Sequence, residues 1–152
     1  MKTKGFSLIE IIISLTIIGI LTAIVVNSSQ ISILKKEQEG IIDSIIATLE
    51  KAKADAQAGK DGLQHGVKFD LQEYVSFAGS SFSEQNSEFK SIVIHPQFEI
   101  IDTISNSDNS IVFSKITGRP NETVIITVSH IDDRIPSKAF QIQASGDISL
   151  IE

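Results

Sequence analysis

Hydrophobic residues in this chain fall into three patterns. From Phe6 to Val26 they form an almost unbroken run, FSLIEIIISLTIIGILTAIVV, whose only charged residue is Glu10. At the helical rise this run spans roughly 31 Å, about the hydrocarbon thickness of a bilayer. From Ile31 the apolar residues become periodic: Ile31, Leu34, Ile41, Ile42, Ile45, Ile46, Leu49, Ala52 and Ala56. Most of the steps are three or four residues, which predicts an amphipathic helix. Its other face carries Lys35, Lys36, Glu37, Glu39, Asp43, Glu50, Lys51, Lys53 and Asp55. Gly40 is a flexible spot within it. Gly59-Lys60-Asp61-Gly62 is a stop signal. The prediction is therefore one helix from Phe6 to Ala58.

After Gly62 the period shortens to two. Val67, Phe69 and Leu71 alternate with Lys68 and Asp70, and Tyr74, Val75 and Phe77 follow as the second arm of a hairpin. Gly79 to Ser91 reads as a polar loop, with Phe82 and Phe89 tacked down. Strands are predicted at Ser91–His95 and Phe98–Ile101, either side of Pro96, and at Ile111–Ile116. Thr123–His130 is β-branched on both faces and reads as a central strand. Ala139–Ala144 pairs back, Gly146-Asp147 turns, and Ile148–Ile151 closes the pattern. The fold class is α+β: a long N-terminal helix followed by antiparallel sheets. The expected segments are residues 1–5, 6–26, 27–58 and a β domain over 63–152.

The first run needs a closer reading. A secretory signal ends in a small-residue cleavage site after a shorter apolar core, whereas this run continues into Asn27-Ser28-Ser29. Glu10 costs ~2.5–3.5 kcal/mol at the centre of a membrane helix, although it lies nearer one end. No Lys, Arg or His lies within two turns on the apolar side. A partner must come from another chain or from a terminus made by processing.

Lys4-Gly5-Phe6-Ser7-Leu8-Ile9-Glu10 resembles the processing site of type IV pilins and type II secretion pseudopilins. The resemblance implies cleavage after Gly5 by a prepilin peptidase and N-methylation of Phe6. It also implies a role for Glu10 in filament assembly, where it meets the terminal amine of a neighbouring subunit. Residues 1–5 are then a leader and 6–26 a transmembrane helix. Major pilins often have proline where this chain has Asn27. Further on, Leu49–Ala56, His65–Phe69, Ile116–Pro120 and Ile142–Ile148 are similar to minor pseudopilins of the GspH/FimT type. That type implies a helix against two antiparallel sheets. Some of its members bind DNA through arginines at the last glycine turn; here that position holds Asp147.

Charge agrees with these expectations. The 152 residues carry a formal charge of −6. Removing Lys2 and Lys4 with the leader leaves 11 basic against 19 acidic side chains, or −8. So acidic a chain is a poor general binder of nucleic acid, and DNA is not an expected partner. Lys2 and Lys4 ahead of the run place the leader in the cytoplasm and the rest outside, with Lys35 and Lys36 opposing weakly. The expected location is the inner membrane, single-pass, with incorporation into an extracytoplasmic filament. There is no cysteine, which excludes disulfides and thiolate metal sites.

Other chemistry is sparse. His65, His95 and His130 sit on separate segments without a ligand pair. Asp102, Asp108 and Asn109, or Asp132 and Asp133, are oxygen donors without EF-hand spacing and read as turn residues. Arg119 and Arg134 are the only arginines, and Arg119 reads as a turn residue. No nucleophile elbow or phosphate-binding glycine loop occurs. No catalytic residue, metal or cofactor is expected. The reading is a structural subunit or assembly initiator of a type IV pilus or type II secretion pseudopilus. Its expected partners are other pilin or pseudopilin subunits, the prepilin peptidase and the membrane. The alternative is an adhesive or DNA-capturing tip subunit.

Overall fold

The computed structural model describes residues 7–83, 91–106 and 108–151, with the side chains of 23–28 outside that description. Gly5, Phe6 and Phe89 lie outside the described residues. One helix, α1, runs Leu8–Gln57. The chain divides within it into two compact units, Met1–Lys36 and Glu37–Glu152. Gly40 does not interrupt the helix. Gly59 ends it in the left-handed region, φ 64°, and a short 3-10 turn at Lys60–Gly62 follows.

Among the described residues eight strands follow: β1 His65–Asp70, β2 Glu73–Ala78, β3 Ile92–Val93, β4 Phe98–Asp102, β5 Ser110–Phe113, β6 Val124–His130, β7 Lys138–Ile142 and β8 Ile148–Ile151. They form two four-stranded sheets, ordered β3-β2-β1-β5 and β4-β6-β7-β8. All the strand pairings are antiparallel. β6 is an interior strand, as its branched residues on both faces predict.

Within the second unit, the helix stripe is buried as its period requires. Ile42, Ile45, Leu49, Ala52 and Ala56 are each at most 3% exposed. Burying each isoleucine or leucine contributes ~1.5–3 kcal/mol. Ile31, placed on the same face by pattern, is exposed. Polar residues then fix the helix on both sheets. Gln38 is buried and its Nε2 donates to the Val128 and Pro136 carbonyls at 2.8 and 3.0 Å. Ser44 Oγ and Tyr74 Oη share a hydrogen bond of 2.7 Å.

Three strand boundaries differ from the pattern. Leu71 is not a strand residue, because Asp70 pairs with Glu73 and closes the hairpin through Leu71-Gln72. Its side chain is exposed, while its carbonyl accepts the Ile100 N–H at 2.8 Å and joins the hairpin tip to β4. The strand predicted to reach Ile116 ends at Phe113. Ile116 takes φ 72°, unusual for a β-branched residue, and its N–H donates to the Ala56 carbonyl at the end of α1. The segment Ser91–His95 forms only the two-residue β3. β3 and β4, neighbours in sequence across Pro96, belong to different sheets.

Candidate functional site

The helix start is built by Ser7. Its carbonyl accepts the N–H groups of Glu10 and Ile11 at 3.1 and 3.3 Å, which makes Ser7 the N-cap. Glu10 therefore lies in the first turn of α1. There the helix dipole favours a carboxylate by ~0.3–1 kcal/mol. The sequence carries a signal for this start, since Ser7-Leu8-Ile9-Glu10 has the spacing of a capping box. Among the described residues no basic side chain forms an ion pair with Glu10.

The apolar run around it hides its other polar groups. Ser14, Thr16 and Thr22 each donate their hydroxyl to the carbonyl four residues back at 2.8 Å. Glu10 remains the one ionisable side chain of the stretch. Leu8, Ile9, Ile11, Ile12, Leu15 and Ile18 all expose about half or more of their surface. A helix apolar on every face needs an apolar environment to cover it. Among the described residues no helix is long and apolar enough to cross a membrane; the run continues into side chains 23–28, which lie outside them.

The last glycine turn is anchored on the helix. Lys53 Nζ donates to the Gly146 carbonyl at 2.6 Å. Gly146 takes φ 91°, and a Cβ there would come within 2.9 Å of the Gly118 carbonyl. Asp147 accepts a hydrogen bond from Ser145 Oγ at 2.8 Å. No arginine lies in this turn, and Arg119 is an exposed residue of the loop that carries Gly118.

The acidic turn residues build turns. The Asn109 carbonyl accepts the Phe69 N–H at 2.8 Å, and the Asp108 N–H donates to Asn106 Oδ1. The Asp132 N–H donates to Nδ1 of buried His130, and the Asp133 N–H to the His130 carbonyl. His95 and His130 both meet the Phe98 ring edge-on, at 6.4 and 5.5 Å. Among the described residues no group of His, Asp and Glu converges as a metal site.

Asp102 is a perturbed carboxyl. Burial pushes it above its ordinary value of 3.8, the Ile104 N–H opposes this, and repulsion from Asp70 and Glu122 adds to it. The folded state thus holds this proton to higher pH than the unfolded chain. The corresponding stability is fully present below 3.8 and is lost as pH rises through the folded value. Asp102→Asn keeps an oxygen for Ile104 and removes the charge. It is expected to raise the melting temperature at pH 7 by about 2 °C, as an effect near 0.5 kcal/mol would. Melting curves should show the gain shrinking as pH falls through the raised folded value and absent below 3.8.

The fold, a long N-terminal helix followed by two antiparallel sheets, is shared with solved minor pilins and pseudopilins. Residues 1–26 match the prokaryotic N-terminal methylation motif. Among solved structures, the chain is similar to the minor pseudopilin EpsH of the Vibrio cholerae type 2 secretion system. The TM-score is 0.59 at 10% identity, covering 76% of this chain and 96% of that one. It is also similar to the Pseudomonas aeruginosa type IV minor pilin FimU, with TM-score 0.63 at 10% identity, covering 78% and 90%. At this identity the likeness is one of fold. Comparison with curated protein sequences gives no match.

Proposed function

We propose that this chain is a minor pilin or pseudopilin, a structural subunit or assembly initiator of a type IV pilus or type II secretion pseudopilus. The observation that carries the reading is a coincidence of two independent features. A methylation motif occupies residues 1–26, and the same chain folds into a helix packed on two antiparallel sheets. Neither feature requires the other.

On this reading a prepilin peptidase cuts after Gly5, and Phe6 becomes the methylated first residue. Residues 6–26 hold the chain in the inner membrane with the β domain outside. The uncovered apolar helix passes from lipid to the filament core on assembly, and both environments satisfy its surface. Glu10 pairs with the amine of a neighbouring Phe6. No catalytic role is assigned to any residue. The acidic charge and Asp147 speak against DNA as a partner.

Processing is the first test. Intact mass of the chain from its native host should correspond to residues 6–152 plus one methyl group. Gly5→Val should retain the leader. A wild-type chain that keeps residues 1–5 would overturn the reading.

A further inference from the structure

The loop between β5 and β6 turns at Ile116, and its N–H groups are used within the fold. Ile116 N–H donates to the Ala56 carbonyl at 3.0 Å, Thr117 N–H to the Lys115 carbonyl at 2.9 Å, and Gly118 N–H to the Ser114 carbonyl at 2.9 Å. Arg119 N–H donates to Thr117 Oγ1 at 3.4 Å, and Pro120 has no N–H. Gln57 Nε2 donates to the Thr117 carbonyl at 3.4 Å. The loop is thus fastened to the end of α1 at two points.

Ile116 is a poor residue for that turn. Its φ of 72° crowds a branched Cβ against the backbone, in a region that glycine or asparagine enters more readily. Such strain persists where something else compensates for it. Packing inside the chain does not, because the side chain is 73% exposed. The compensation lies outside the chain.

Charge narrows what can lie there. The segments joined here, residues 53–62, 114–120 and 143–147, carry Lys53, Lys60, Lys115 and Arg119 against Asp55, Asp61 and Asp147. Lys60 pairs with Asp55 at 3.3 Å, Lys53 donates to the Gly146 carbonyl, and Asp147 accepts from Ser145 Oγ. Glu122, just beyond the loop, is engaged by the Ser105 N–H and by Asn106 Nδ2. The Lys115 side chain reaches the 59–62 turn, its Cε 3.7 Å from where a Cβ on Gly59 would stand. Among the described residues it still makes no ion pair with Asp61, and Arg119 makes no ion pair either. Around Ile116 the loop therefore offers two cations and no carboxylate, in a chain that is acidic overall.

We propose that Ile116, Lys115 and Arg119 form a docking point for an acidic amphipathic helix of a different protein. Ile116 enters the space between four side chains on the apolar face of that helix, as a knob enters a hole. Carboxylates beside the face meet Lys115 and Arg119. The used backbone selects this occupant. An added strand pairs through free N–H groups, and a bound phosphate sits in a cradle of them; residues 116–120 offer none. The loop has no aromatic side chain on which a nucleic-acid base could stack. A two-fold contact with a second copy would set Lys115 and Arg119 against themselves. Docking here requires neither cleavage after Gly5 nor a filament, so it stands or falls apart from the proposed function.

The test uses the full chain in detergent and a labelled synthetic helical peptide with leucines along one face and glutamates on both sides of it. A twin carries lysines in place of the glutamates. Fluorescence anisotropy reads binding, and comparison between protein variants cancels uptake of peptide by the detergent. The lysine twin should bind about tenfold more weakly than the glutamate peptide. Ile116→Asn should weaken the glutamate peptide about tenfold and also raise the melting temperature by about 3 °C, since asparagine accepts the left-handed backbone. Lys115→Glu combined with Arg119→Glu should weaken binding about tenfold without that rise. Equal binding of the two peptides, or an Ile116→Asn chain that binds like the wild type or melts lower, would overturn the proposal. So would tighter binding of a labelled DNA duplex that needs Lys115 and Arg119 but not Ile116, which would make the loop an anion patch. Self-association that Ile116→Asn abolishes would overturn it too, making the occupant a second copy.

Discussion

Glu10→Ala is expected to leave cleavage after Gly5 and membrane insertion largely intact, and to remove most of the chain from the sheared-filament fraction. On the assembly reading, Glu10 lies among Ile9, Ile11 and Ile12, where an ion needs a partner. Two positive ends are available to it. One is the N-terminus of its own helix, since Glu10 occupies the first turn. The other is the amine freed at Phe6, in the same chain or in the next subunit. Only pairing between subunits depends on their axial register. A wrong register leaves a buried charge alone, which costs ~3–5 kcal/mol, enough to decide incorporation.

The Glu10→Ala subunit leaves its neighbour's amine unpaired wherever it inserts. Glu10→Gln should be intermediate, because it accepts a hydrogen bond without the charge. The measurement compares membrane and sheared-filament fractions for wild type and both variants. Equal recovery of all three in filaments would reduce Glu10 to a first-turn residue that favours the helix start and nothing more.

The second large effect concerns two glycines that respond oppositely to alanine. Gly66 lies in β1, between β2 and β5. A Cβ there would stand 2.5 Å from the Ile111 carbonyl and 2.7 Å from the Phe77 ring. The carbonyl belongs to a buried strand, and the ring is itself packed edge-on against Phe82 at 5.7 Å. Neither can withdraw without disturbing the sheet. Gly66→Ala should cost about 3 kcal/mol, the upper end for overpacking. That corresponds to a fall in melting temperature of about 12 °C.

Gly40 is the reverse case. It is helical, and a Cβ there meets nothing within 4 Å. Gly40→Ala should stabilise by up to ~1 kcal/mol through helix propensity alone. Circular-dichroism melting of the full chain in detergent checks both. A neutral Gly66→Ala would mean that β1 and β5 can separate locally, contrary to the close packing described above.

Much of this molecule is determined by local pattern. An apolar run with one Glu, a three-to-four-residue stripe and a glycine stop are enough to specify a helix, because its hydrogen bonds are local. The start and end of α1 fall within two residues of the boundaries read from the sequence. Thr123–His130 is legible as an interior strand because branched residues on both faces need cover on both. The place of Glu10 in the first turn, three residues after Ser7, was equally open to reading, being a fixed spacing within one turn.

Non-local contacts decided the rest. Leu71 alternates correctly with Val67 and Phe69, yet the hairpin closes before it, because Asp70 pairs with Glu73 and the Leu71 carbonyl is needed by Ile100. Ile116 looks like a strand residue, but the carbonyl of Ala56, sixty residues away in sequence, holds it in a turn. The division of β3 and β4 between two sheets has no local signal, since either could pair with several strands. The open edge of β8 is of the same kind. Its residues are visible in the sequence, but only the tertiary structure shows that, among the described residues, the β5 and β4 edges receive hydrogen bonds from other segments while the outer side of β8 receives none.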